Sequence, residues 1–170
     1  HDLFTVASGG VLTFSSAPDY ETPGCGAGNN ANTCTVVIQV TDGANTDTIT
    51  ITATVTDLAP AITGSQTGSV LESAADDAAV MTVATTGDTP TIWTINSGDT
   101  DSIFTISNGG VITVDDNDNL DTETTSSYTL TLVASDDTTA VSGSVVISIT
   151  DVNEATPTFT DGDTGSCSSA

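Results

Sequence analysis

Apolar and polar residues alternate with period two through most of this chain. The segments TVVIQVTD (35–42), DTITITATVTD (47–57), AVMTVAT (79–85), TIWTI (91–95), SYTLTLVASD (127–136) and GSVVISITD (143–151) each read as a β-strand. In the second, Ile49, Ile51, Ala53 and Val55 point one way and Thr48, Thr50, Thr52, Thr54 and Thr56 the other. Such a strand has one core face and one wet face. Clusters of Gly, Asp, Asn and Ser separate the strands, and no segment carries a helical period. The pattern predicts an all-β chain folded as a sandwich. Trp93 sits on the fourth of these strands, and Phe104, Phe4 and Tyr128 fall on core-facing positions.

The chain also repeats itself. Phe4, Gly9-Gly10 and Val11-Leu12 recur one hundred positions later as Phe104, Gly109-Gly110 and Val111-Ile112. Asp19 and Glu21 match Asp121 and Glu123; further on, Asp42 matches Asp136 and Asp57 matches Asp151. The spacing shortens because the first copy carries the extra loop around its two cysteines. Each match falls at a strand end or turn, as equivalent positions of two stacked units do. Residues 61–151 hold a complete set of about seven strands, residues 1–57 only the last four of a set, and residues 157–170 read as the opening of another. The expected organisation is therefore a C-terminal half-repeat over 1–60, a complete repeat over 61–156 and a further start or tail over 157–170.

Charge changes this picture more than length does. The 170 residues include no Lys or Arg and 23 Asp or Glu, a net charge of −23. Nucleic acid and anionic membranes are poor partners for such a surface, and no apolar run reaches the roughly 20 residues a membrane-spanning helix needs. The stretch DDNDNLDTE (115–123) crowds five acids with Asn117 and Asn119, and no basic side chain exists to pair with them. Either the acids coat a solvated surface or divalent cations from solution supply the missing charge. The run Asp115–Asp118 reads as a solvated turn.

Cys25 and Cys34 bracket the flexible stretch GAGNNANT. A disulfide across it closes a short loop and contributes about 2–3 kcal/mol, which points to an extracellular setting. With no His or further Cys at ligand spacing, the pair makes a poor zinc site. Cys167 is left over and is expected to pair outside this segment. His1 stands alone, so no Ser-His-Asp set arises. Asp121 and Glu123, a conceivable acid and nucleophile, share one turn with no cleft-forming segment, and the chain reads as non-enzymatic. Threonine rows on the wet faces follow from β-propensity and also offer attachment points for O-linked glycans.

Five ordered motifs over some ninety residues resemble the cadherin repeat family. These are VLESAADDAAV (70–80) with its Glu72, IFTISNGGVIT (103–113), LDTE (120–123), VASDD (133–137) and DVNEATPTF (151–159). The resemblance implies tandem Greek-key β-sandwich modules of cadherin-like type, with Ca²⁺ as the cofactor, held between successive repeats. It assigns one site to Glu72, Asp121, Glu123, Asp151 and Asn153, with Glu154 in place of the usual Asp. The linker DLAPAI (57–62) lacks the family's Asn-Asp-Asn, and TTGD (85–88) keeps one acid of an Asp-x-Asp. The other junction therefore retains Asp19, Glu21, Asp57, Asp88 and Asp136, enough for one ion, weak binding, or none.

The resulting expectation is a non-enzymatic extracellular structural or adhesive module at the cell surface. It is stiffened by calcium, partners with copies of itself or neighbouring repeats, and assembles head to tail into a fibre or long appendage. Two alternatives stand beside it: an ordinary calcium-dependent adhesion ectodomain fragment, and a polysaccharide-binding accessory domain of a secreted protein. With 4% aromatic residues, mostly core-placed, the last has few stacking platforms.

Overall fold

The structure is a computed structural model that describes residues 3–26, 28–29 and 31–153. His1, Glu154, Cys167 and the tail 157–170 lie outside the described residues. Thirteen strands and one turn of 3-10 helix at Asn117–Asn119 make up the regular structure, with no α-helix among the described residues. The chain divides into two compact units. The first comprises His1–Ile62, Thr85–Ile92 and Ala134–Ser142; the second comprises Thr63–Ala84, Trp93–Val133 and Gly143–Ala170.

The first unit begins with the antiparallel hairpin β1 (Phe4–Val6) and β2 (Leu12–Phe14), where Phe4 faces Phe14 and Val6 faces Leu12. The two rings stack with centroids 4.6 Å apart. A longer hairpin follows, β3 (Thr33–Thr41) and β4 (Thr46–Thr54), in register from Thr33 opposite Thr54 to Thr41 opposite Thr46. Residues directly opposite share a face. Val36 with Ile51 and Ile38 with Ile49 therefore make one apolar side, and the threonines, with Val37 and Gln39, make the other. The disulfide Cys25–Cys34 ties the loop ahead of β3 to the strand itself, as the spacing predicted. The short strands β5 (Ala61–Ile62) and β8 (Thr85–Thr86) pair antiparallel.

The second unit is a sandwich of two sheets. One has the order β10 (Phe104–Ile106), β11 (Val111–Val114), β7 (Ala79–Thr82). The other runs β6 (Gln66–Leu71), β13 (Ala140–Thr150), β12 (Ser127–Ser135), β9 (Ile92–Ser97). β6 lies parallel to β13, from Gln66 beside Val145 to Leu71 beside Thr150. Both sheets supply buried apolar residues: Phe104 and Ile112 from the first, and Trp93, Leu130, Leu132 and Ile147 from the second. Phe104 and Tyr128 pack edge to face at 5.4 Å, an arrangement that adds to plain area burial.

The predicted strand over 79–85 is interrupted. The strand ends at Thr82, although the Val83 N–H still donates to the Gly110 carbonyl at 2.8 Å, and at Ala84 the Gln66 side chain bonds the backbone. Its Oε1 accepts the Ala84 N–H at 2.7 Å and its Nε2 donates to the Ala84 carbonyl at 2.9 Å. The amide thus gives the exposed Ala84 N–H a partner, while the Ala84 carbonyl also accepts the Thr63 N–H at 3.1 Å.

Candidate metal centres

Two groups of carboxylates converge, one within each unit. In the first unit Glu21, Asp57, Asp88 and Asp136 bring one oxygen each to within 4.8 Å of one another. Each comes from a strand end or turn: Glu21 after β2, Asp57 after β4, Asp88 after β8 and Asp136 at the turn that follows β12.

Asp136 is 1% exposed. Its Oδ1 accepts the N–H groups of Thr138 and Thr139 at 3.0 and 2.7 Å and the Thr138 hydroxyl at 2.8 Å. These donors, the Thr139 N–H foremost, hold its carboxyl below the ordinary range against the opposing pull of burial. Asp57 Oδ2 accepts the hydroxyls of Thr138 and Thr139 at 3.1 and 2.7 Å. The remaining oxygens, Asp57 Oδ1 and Asp136 Oδ2, are buried with no hydrogen-bond partner among the described residues. A buried anionic oxygen without a donor is costly to leave uncompensated.

Glu21 shows the strain of this crowding. Desolvation, then the nearby charge of Asp88 and the carboxyls of Asp57 and Asp19, push its pKa above the ordinary value. The backbone locates Asp88: its N–H donates to the Leu58 carbonyl at 3.3 Å, and Gly87 before it sits at φ +79° against the Ala59 carbonyl. A Cβ at Gly87 would collide with that carbonyl, so glycine is what lets this turn reach the linker. Asp19, exposed and outside the group of four, shapes the turn instead: its Oδ1 accepts the N–H groups of Glu21 and Thr22 at 2.9 and 3.1 Å.

In the second unit Glu72, Asp121 and Glu123 converge to the same tolerance. Glu72 is 5% exposed at the end of β6, and its two oxygens accept the N–H groups of Val152 and Thr122. Those bonds, Val152 first, lower its pKa. Asp121 repeats the Asp19 turn, with Oδ1 accepting the N–H groups of Glu123 and Thr124 at 2.9 and 3.2 Å and Oδ2 taking the Thr124 hydroxyl at 2.8 Å. The Thr124 hydroxyl is the main cause of its lowered pKa. Glu123 feels its own N–H pulling its pKa down, but Asp121, Glu72, burial and Asp151 outweigh it and raise the value. Asp151 is exposed and stands outside the converging three, Asn153 is exposed, and Glu154 is not among the described residues.

The donor set tests well against a hard cation. It is all oxygen, it carries excess negative charge, and in the first unit it includes two buried oxygens that nothing in the described protein satisfies. The junction that the linker sequence made look depleted thus brings four carboxylates together among the described residues. The sequence reading missed Thr138 and Thr139, whose hydroxyls fix the orientation of Asp57; the doubled threonine after Asp136-Asp137 was the available signal.

No family model matches the sequence, and no curated protein matches it. Solved structures do. The mouse clustered protocadherin PcdhgC3 EC1-3 is 20% identical, with a TM-score of 0.52 over 87% of this chain and 51% of that one. The Protocadherin GammaB4 extracellular domain is 20% identical, with a TM-score of 0.55 over 89% and 25%. The human Desmocollin-1 ectodomain is 21% identical, with a TM-score of 0.53 over 91% and 33%. The chain spans from a quarter to about half the length of those chains. At such identities the likeness is one of fold: this is an all-β chain of cadherin-like β-sandwich architecture.

Proposed function

We propose that the chain is a non-enzymatic, calcium-stiffened structural or adhesive module of an extracellular appendage. The observation that carries this reading is the first-unit cluster, where four carboxylates meet, two buried oxygens lack donors, and no Lys or Arg exists to answer them. Calcium accepts about six to eight oxygens in flexible geometry, and it would draw on Glu21, Asp57, Asp88 and Asp136 there. Glu72, Asp121 and Glu123 would form the second centre, joined by Asp151, Asn153 and Glu154 from the segment after β13. Each centre gathers residues far apart in sequence, so a bound ion holds strand ends and linker in one arrangement.

The repeat boundaries that go with this reading are 1–60, 61–156 and 157–170. Copies of such a chain assemble head to tail, outside the cell, where the Cys25–Cys34 disulfide persists. The test is a pair of thermal melts, with calcium and with EGTA. A ligand at a hundredfold excess over its Kd stabilises by about 2.7 kcal/mol, which raises Tm by several degrees. Identical melts in the two buffers would leave the acids as surface and remove calcium from the reading.

A further inference from the structure

The hairpin β3–β4 is a sheet of two strands, and among the described residues neither outer edge carries a hydrogen-bonded neighbour. Its apolar face is open toward the turn, where Val40 is 66% and Ile49 61% exposed, while Val36, Ile38 and Ile51 are half-buried. The matching hairpin, ninety-four positions on, is closed. Leu130, Leu132 and Ala134, which correspond to Val36, Ile38 and Val40, are 0% exposed, and Val145, which corresponds to Ile51, is 1% exposed. There β6 runs parallel along β13, bonded from Val145 to Thr150, and its Val70 is 8% exposed beside Ile149. The equivalent edge in the first unit is Ile51–Thr56. Next to it lies a cavity of about 190 Å³ whose walls include Leu3, Phe14, Cys25 and Val55, the counterpart of Ile149.

A second β6-like segment is written in the sequence. Pro157, Phe159, Thr160, Thr164, Gly165 and Ser166 stand ninety-seven positions after Pro60, Ile62, Thr63, Thr67, Gly68 and Ser69. Cys167 then occupies the place of Val70. One strand edge thus lacks a partner of this pattern, and one segment has the pattern.

We propose that residues 163–168 of one copy add as a parallel strand along Ile51–Thr56 of a second copy, with the Cys167 side chain entering the cavity beside Val55. Backbone pairing supplies the attachment and the alternate side chains supply the register, as in other strand additions. The contact is heterologous, so it propagates from copy to copy. It deepens the head-to-tail reading above and rests on it, but requires no bound ion.

The register has a direct test. In the full chain carrying Val55→Cys, oxidation with diamide joins the introduced thiol to Cys167 of another copy; two thiols give one disulfide, with the two hydrogens passing to the diamide. Non-reducing electrophoresis is expected to show a ladder of covalent oligomers. The ladder disappears when Cys167→Ser is added and falls about tenfold with Thr54→Cys, whose side chain points to the opposite face. In parallel, the mass of the wild-type chain in solution rises with concentration while the chain cut after Thr156 stays monomeric. A ladder of equal strength from position 54, a cross-link confined within one chain, or self-association that ignores the cut would each overturn the proposal. Run with calcium and with EGTA, the experiments separate the two readings. A missing ladder beside a calcium-sensitive melt removes strand addition alone, and a ladder beside a calcium-insensitive melt removes the metal alone.

Discussion

Asp42 and Asp136 make the same turn in different surroundings. Each Oδ1 accepts the N–H groups two and three residues on, at 2.9 and 2.7 Å for Asp42 and 3.0 and 2.7 Å for Asp136. Asp42 is exposed, whereas Asp136 is buried with one oxygen unpartnered. Identical local chemistry thus ends in a capped loop at one position and a candidate ligand at the other, and tertiary context alone decides. The carboxyls of the clusters also titrate in opposite senses. Asp136, Asp121 and Glu72 have lowered pKa values and contribute stability above the ordinary carboxyl range, lost as pH falls through their folded values. Glu21 and Glu123 have raised values, so without metal their contribution is present at acid pH and lost as pH rises above 4.5. A bound cation removes that loss. The gap between melts in calcium and in EGTA should therefore widen as pH rises from 4.5 toward neutrality. A gap independent of pH over that range would show that the raised groups do not face the ion.

The duplicated hairpins carry the same principle to the scale of elements. β1–β2 and β10–β11 share register, turn and bond lengths: Ala7 N–H to Val11 carbonyl and Ser107 N–H to Val111 carbonyl are both 3.0 Å. Gly10 and Gly110 close them at φ +81° and +73°. An alanine at Gly10 meets nothing within 4 Å, whereas at Gly110 its Cβ falls 3.1 Å from the Trp93 ring. Gly10→Ala should cost about 1 kcal/mol from backbone strain. Gly110→Ala should cost a further ~1–3 kcal/mol, because Trp93 must move. Hydrogen exchange of the β1–β2 amides reads the first, and urea unfolding followed by Trp93 fluorescence reads the second; equal costs would contradict this packing. The recurrence of Phe, Gly-Gly and the apolar pair after it made these segments legible as equivalent copies, because each of these signals is local, although neither segment stood among the predicted strands. The first-unit cluster was only partly legible. Asp88 looks isolated in TTGD, and what brings it in is the positive φ of Gly87 and the bond to Leu58, features that no local pattern displays. Burial of Asp136 was equally invisible, since its twin Asp42 occupies the matching place in the repeat and lies in the open.

Across the whole molecule, a chain with no Lys or Arg must carry its charge of −23 by solvation, protonation or ions. Net charge of that size keeps copies apart and favours expansion of the chain. Long-range screening by salt eases the surface part of this repulsion within a Debye length of about 8 Å at physiological ionic strength. It does little for buried oxygens such as Asp57 Oδ1 and Asp136 Oδ2. Specific binding and general screening are therefore separable. Isothermal titration of calcium at constant ionic strength, into the wild-type chain and into Asp136→Asn and Asp42→Asn, tests the central claim most directly. The amide keeps the Oδ1 turn while replacing the inward oxygen by an NH₂ group. The account predicts saturable binding by the wild type, unchanged by Asp42→Asn and weakened about 10–100-fold at one site by Asp136→Asn. Binding that is absent, or indifferent to Asp136→Asn, would contradict it.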